Sequence, residues 1–194
     1  MMRKIERENT GLLRAGQDLV VAGYVGLAGT VELAKEKKEA LCQWFSDEYM
    51  DEIAGCSSYL ELPEDSHFWE SCGAAEWETV GEGGILTAIW NLTGAYETGV
   101  SFYLRQIPIR QETVEVCERL ELNPYRLYSR GCVLLTADNG GQLVRTLEEK
   151  QIPAKVIGLV NKGIAREMIV QEGRGFLERP QPDEITKVIP GFFD

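Results

Sequence analysis

The sequence has a single histidine, His67, and no two cysteines at C-x-x-C spacing. A histidine-based relay would have to run through that one residue, and Asp65-Ser66-His67-Phe68-Trp69 carries no nucleophile elbow beside it. Glu64, Asp65, His67 and Glu70 read as the acidic start of a helix rather than as a metal cluster. The five cysteines, Cys42, Cys56, Cys72, Cys117 and Cys132, form neither an even disulfide framework nor a zinc knuckle, so most read as small core residues. Clustered basic charge is lacking as well. With 20 Lys and Arg against 31 Asp and Glu the net charge is −11, a field of the wrong sign for a phosphate backbone, so no nucleic-acid partner is expected. No apolar run approaches a membrane span, and the start, Met1-Met2-Arg3-Lys4-Ile5-Glu6-Arg7-Glu8, lacks the apolar core of a secretory signal. The expectation is a cytoplasmic protein without a membrane partner.

What is present is an alternation of strand and helix signals. Leu19-Val20-Val21-Ala22, Val100-Ser101-Phe102-Tyr103-Leu104, Cys132-Val133-Leu134-Leu135-Thr136 and Lys155 to Val160 are short apolar or β-branched runs, bounded by Gly, Pro or helix signals. Between them, Thr30 to about Glu52 and Gln111 to Leu122 are rich in helix formers; in the second, Val114, Cys117 and Leu120 mark the expected apolar stripe. Asp138-Asn139 is placed to cap a helix beginning at Gly140, with Leu143, Val144 and Leu147 facing inward. Cys56 to Leu62 reads as a further strand. Glu167 to Val170 reads as the hairpin partner of the strand before Asn161-Lys162-Gly163. The pattern predicts an α/β fold with one mixed sheet covered by helices. It is divided into an N-terminal arm (1–15), one domain (16–180) and a tail (181–194) that wraps the surface or stays loose.

The stretch with the clearest chemical use is Glu78-Thr79-Val80-Gly81-Glu82-Gly83-Gly84. Ile85, Ile89 and Leu92 follow at helical spacing, so the glycines sit at a helix N-terminus, where unpaired N–H groups and the helix dipole favour an anion. The candidate ligand-binding residues are Thr79, Glu82, Gly83, Gly84, Ile85 and Arg130. No catalytic residue and no metal ligand is assigned.

Several pieces in a fixed order resemble the C-terminal domain of the aminoimidazole ribonucleotide (AIR) synthase superfamily, on the branch of AIR synthase-related proteins allied to the hydrogenase maturation factor HypE. They are Gly16 to Thr30, the Glu82-Gly83-Gly84 helix, Ile107 to Thr113, Asn123-Pro124-Tyr125-Arg126-Leu127, Ser129-Arg130-Gly131, and Ile152 to Gly158. The resemblance covers roughly residues 16 to 180. It implies ATP-using relatives built from two domains, of which this sequence would carry the C-terminal one without the N-terminal one. Where the family tends to carry His-Asp-Val-Thr-Glu-Gly-Gly, only Val80, Glu82, Gly83 and Gly84 carry over. The C-terminal cysteine of the hydrogenase factors is replaced by Pro190-Gly191-Phe192-Phe193-Asp194.

Two readings follow from that resemblance. One is a non-catalytic binding or assembly protein, paired as a homodimer or with another chain, that keeps at most a nucleotide or phosphate site. The other is half of an ATP-dependent enzyme, completed by a separate protein that supplies the N-terminal domain. No cofactor is required by the first reading. ATP or phosphate is the ligand that the resemblance allows.

Overall fold

The computed structural model describes residues 13–194. The larger part of the expected N-terminal arm, residues 1–12, lies outside the described residues. Seven strands form one mixed sheet: β1 (Asp18–Ala22), β2 (Glu76–Val80), β3 (Gly99–Tyr103), β4 (Cys132–Ala137), β5 (Ala154–Asn161), β6 (Arg166–Val170) and β7 (Gly173–Phe176). Their order is β2-β4-β1-β5-β3-β6-β7, antiparallel throughout except where β6 runs parallel to β3. The helices are α1 (Leu27–Glu36), α2 (Lys38–Leu41), α3 (Asp47–Gly55), α4 (Ser66–Ser71), α5 (Gly84–Ala95), α6 (Gln111–Arg119) and α7 (Gly140–Glu149).

β1 and β4, both interior strands of the sheet, bury almost every side chain because both sheet faces are covered there. Leu19, Val21, Cys132 and Leu134 face α5, with Ile85, Ile89 and Leu92. Val20, Ala22, Val133 and Leu135 face α4 and α7, with Trp69, Leu143 and Leu147. A third cluster lies beside the sheet, where α1, α3 and α6 pack Leu33, Met50, Ile53 and Val116 around Leu127. The mixed sheet and its helical cover are those the sequence predicts. Asn139 caps α7 by accepting from the Gln142 N–H at 2.9 Å.

Four readings are corrected. Residues 56–60 form a 3-10 helix instead of a strand, continuing from α3. β6 does not return beside β5: it crosses to pair with β3, and its hairpin partner is β7, so a plain β5–β6 hairpin is absent. In α6 the inward residues are Thr113, Val116 and Cys117, while Val114 is 47% exposed; the stripe is rotated because Thr113 packs under α1. The last stretch is not loose: Asp183, Glu184 and Ile185 are buried, and Val188, Ile189 and Phe192 pack on the third cluster.

Candidate functional site

Two helices open on left-handed glycines, and both openings meet one loop. Gly26 (φ 75°) precedes α1 and Gly83 (φ 77°) precedes α5, a conformation that a side chain with Cβ resists. The loop is residues 123–131. The Gly26 N–H donates to Ser129 Oγ at 2.8 Å, and the Gly29 N–H donates to the Tyr128 carbonyl at 2.9 Å. Ser129 Oγ in turn donates to the Leu127 carbonyl at 2.7 Å. At the other helix, a Cβ on Gly84 would stand 2.5 Å from the Tyr125 carbonyl oxygen and 2.9 Å from that of Leu127. Gly84 is therefore glycine in part because backbone passes directly over it.

The anion-favouring end of α5 is occupied by a carboxylate of the chain itself. Asp183 is only 1% exposed. Its Oδ2 accepts from the Gly83 N–H at 2.6 Å, and its Oδ1 accepts from the N–H groups of Tyr128 at 3.1 Å and Ile185 at 2.9 Å. One side chain thus joins the glycine turn, the loop and the C-terminal 3-10 turn. Burial pushes the Asp183 carboxyl above its ordinary range and the nearby Glu82 charge adds to the rise, while the three N–H donors work against it. The Gly84 N–H goes to the Gly81 carbonyl at 3.2 Å.

The other sequence-selected residues are spread around this end. The Ser129 N–H donates to the Gly81 carbonyl at 3.2 Å, which holds the turn containing Glu82 beside the segment leading to Arg130. Arg130 is exposed. Thr79 is not gathered with the helix amides: Val80 faces α5, so its neighbour Thr79 points to the opposite sheet face, where it is exposed. His67 is exposed on α4, whose start is capped by Asp65, accepting from the His67 N–H at 3.0 Å. Among the described residues no group of three or more His, Cys, Asp or Glu is gathered to hold a metal ion. No helix among them is long and apolar enough to cross a membrane.

A second polar assembly flanks α1. Arg110 makes a two-pronged contact with Glu112, at 3.1 and 2.6 Å, and its guanidinium lies 4.7 Å from the Tyr59 ring centre and 5.4 Å from that of Tyr24. Arg110 holds the Glu112 carboxyl below its ordinary range, and the Cys56 thiol beside them is pushed up, first by burial.

Sequence reasoning missed Asp183, Ser129 and the Arg110–Glu112 pair. Pro182-Asp183 before an apolar Ile185 is a local signal for a capped turn, and Asp183 does cap it. Nothing local announces that its second oxygen reaches residue 83.

The geometry defines an α/β domain with one mixed sheet and two glycine-opened helices, and solved structures share its fold. E. coli HypE aligns with a TM-score of 0.67 at 17% identity, covering 91% of this chain and 53% of that one. HypE solved in complex with ATP aligns at 0.65 and 16% identity, covering 89% of this chain and 53% of that one. Thiamine-monophosphate kinase from Stenotrophomonas maltophilia aligns at 0.60 and 17% identity, covering 80% of this chain and 50% of that one. The resemblance to the AIR synthase and HypE group that the residues suggest therefore holds at the level of the fold. The chain spans about half the length of the solved structures that it matches. A scan of protein-family models finds no match, and neither does a comparison with curated proteins.

Proposed function

We propose that this chain is one half of an ATP-dependent enzyme of the HypE and thiamine-monophosphate kinase fold, completed by a second polypeptide that supplies the other half. The observation carrying this reading is the alignment with HypE in complex with ATP over 89% of this chain and 53% of that one. In this reading the end formed by Glu82, Gly83, Gly84, Ile85 and Arg130 faces the nucleotide phosphates. Thr79, in β2 and exposed on the opposite sheet face, takes no part in that end. A complex of HypE with HypF aligns as well, at a TM-score of 0.63 and 17% identity over 87% of this chain and 54% of that one, which supports a protein among the partners of this chain. Phosphoryl transfer needs positioned cations around the phosphates, and the carboxylates for Mg²⁺ would come from the partner.

A second reading is favoured by the Asp183 contact. An internal carboxylate already satisfies the Gly83 N–H, which suits a non-catalytic binding or assembly protein, self-paired or joined to another chain. Phosphate release from ATP and Mg²⁺ tests the division of labour. The isolated chain is expected to release none above the blank. Sustained release that is abolished by Glu82→Ala would show that the chain is a complete enzyme and would overturn the half-site reading.

A further inference from the structure

The chain after β7 is built as a detachable piece. Leu177 is still tied to the sheet, its N–H donating to the Arg166 carbonyl at 2.8 Å. Glu178-Arg179-Pro180-Gln181-Pro182 then runs exposed at every position, and its two prolines have no N–H with which to bind it down. Its ion pair to the body, Arg126 with Glu178 at 3.1 Å, has a largely exposed Glu178 and holds weakly in water. At Asp183 the chain turns inward again. Ile185 is fully buried, and Val188, Ile189 and Phe192 lie against the groove of α1, α3 and α6, with Phe192 and Phe193 edge-on to Tyr128. Glu184 accepts from the Asn123 N–H at 3.1 Å and from Lys187 at 2.7 Å.

We propose that residues 183–193 form a plug on the hinge of residues 178–182, and that the plug opens as one unit, freeing the start of α5, the loop at Tyr128 and the apolar groove together. Three features argue for joint opening. Every tie of the plug to the glycine turn and to the Tyr128 N–H runs through the one Asp183 carboxylate. That carboxylate is buried without an ion-pair partner among the described residues, so its charge is met only by three backbone N–H groups, and the closed state depends on all three being held together. The plug buries few side chains beside those of β1 and β4, which places its opening below global unfolding. While it is shut, the Gly83 N–H is withheld from any outside anion, so the plug is an autoinhibitory contact at that end. The opening belongs to the chain itself and requires no nucleotide.

Native-state hydrogen exchange, read residue by residue on the full chain across a denaturant series, tests this. The amides of Gly83, Tyr128 and Ile185 are expected to exchange through one common opening, less protected than those of Val21 and Leu134. Asp183→Asn keeps the shape but puts an amide where a carboxylate oxygen accepts. It should raise exchange at all three by at least about tenfold and leave Val21 and Leu134 unchanged. Protection of Gly83 and Tyr128 while Ile185 exchanges would overturn the proposal. So would exchange of all three only together with Leu134, or a folded Asp183→Asn chain with unchanged exchange. The wild-type series decides between these outcomes even if the variant fails to fold.

Discussion

At the scale of single residues, the physical content lies in a few contacts that permit no substitute. Gly84 is one: it has a φ of 64° and carbonyl oxygens where a Cβ would stand. Gly84→Ala should lower the unfolding free energy by about 2–4 kcal/mol, measured by urea denaturation. Glu112 is another, because its side chain is nearly buried against Arg110. Its carboxyl is held below the unfolded value of 4.5, so the stability it adds is present above that value and is lost as pH falls through the folded one. Glu112→Gln should cost about 1–3 kcal/mol at pH 7, and the gap to wild type should narrow as pH falls from 4.5 through the lower, folded value. A gap that does not narrow on acidification, up to the onset of acid unfolding, would show that the pair contributes by packing alone. Asp183 has the opposite sign: its raised carboxyl contributes stability below the unfolded value and loses it as pH rises through the folded one.

The glycines were legible in the sequence as a helix opening, and the positions were right. Their reason was only half legible. A helix N-terminus preceded by Gly83-Gly84 reads as room for a phosphate, yet the close neighbours of Gly84 are the Tyr125 and Leu127 carbonyls, residues 40 or more positions away. Periodicity carries no information about such crossings.

At the scale of elements, strands with strong local signals fell where expected. β1, β3, β4 and β5 are short, apolar and bounded by turn residues, and their local preference agrees with the burial they receive. The failures came where partner choice is non-local. β6 has a turn before it that fits a hairpin, but β5 already has β1 and β3 as neighbours, so β6 joins toward the sheet edge, outside β3. For the C-terminal stretch, whose composition its three prolines dominate, the sequence leaves open whether it wraps the surface or stays loose. Its apolar residues Ile185, Val188, Ile189 and Phe192 instead fill the groove. Ile185→Ala should cost about 2–4 kcal/mol by the loss of a buried side chain, read from thermal or urea unfolding. Phe176→Ser on the edge strand β7, where the ring is 70% exposed, should change stability by less than about 0.5 kcal/mol. A loose tail would give the reverse ranking.

At the scale of the whole molecule, the sheet is covered unevenly. α4 and α7 shield one face over β2, β4 and β1, whereas over β5, β3 and β6 that face carries a shallow depression of about 390 Å³ lined by Ser101, Tyr103, Leu159, Asn161 and Glu167. Tyr103 and Leu159 are exposed there. A chain that is half of a larger assembly, or of a homodimer, is expected to show a mass above that of the monomer by light scattering at micromolar concentration, alone or with its completing partner. A strictly monomeric chain that forms no complex would favour neither form of association.

The central claim is that this fold, spanning half the length of its ATP-bound counterpart, still belongs to a nucleotide site. Isothermal calorimetry of the full chain with ATP, ADP and AMP, each with and without Mg²⁺, addresses it most directly. Saturable heat is expected with ATP, weakening as phosphates are removed and growing when Asp183→Asn loosens the Gly83 contact. Absence of heat with every nucleotide, in both the wild-type chain and a folded Asp183→Asn variant, would contradict it.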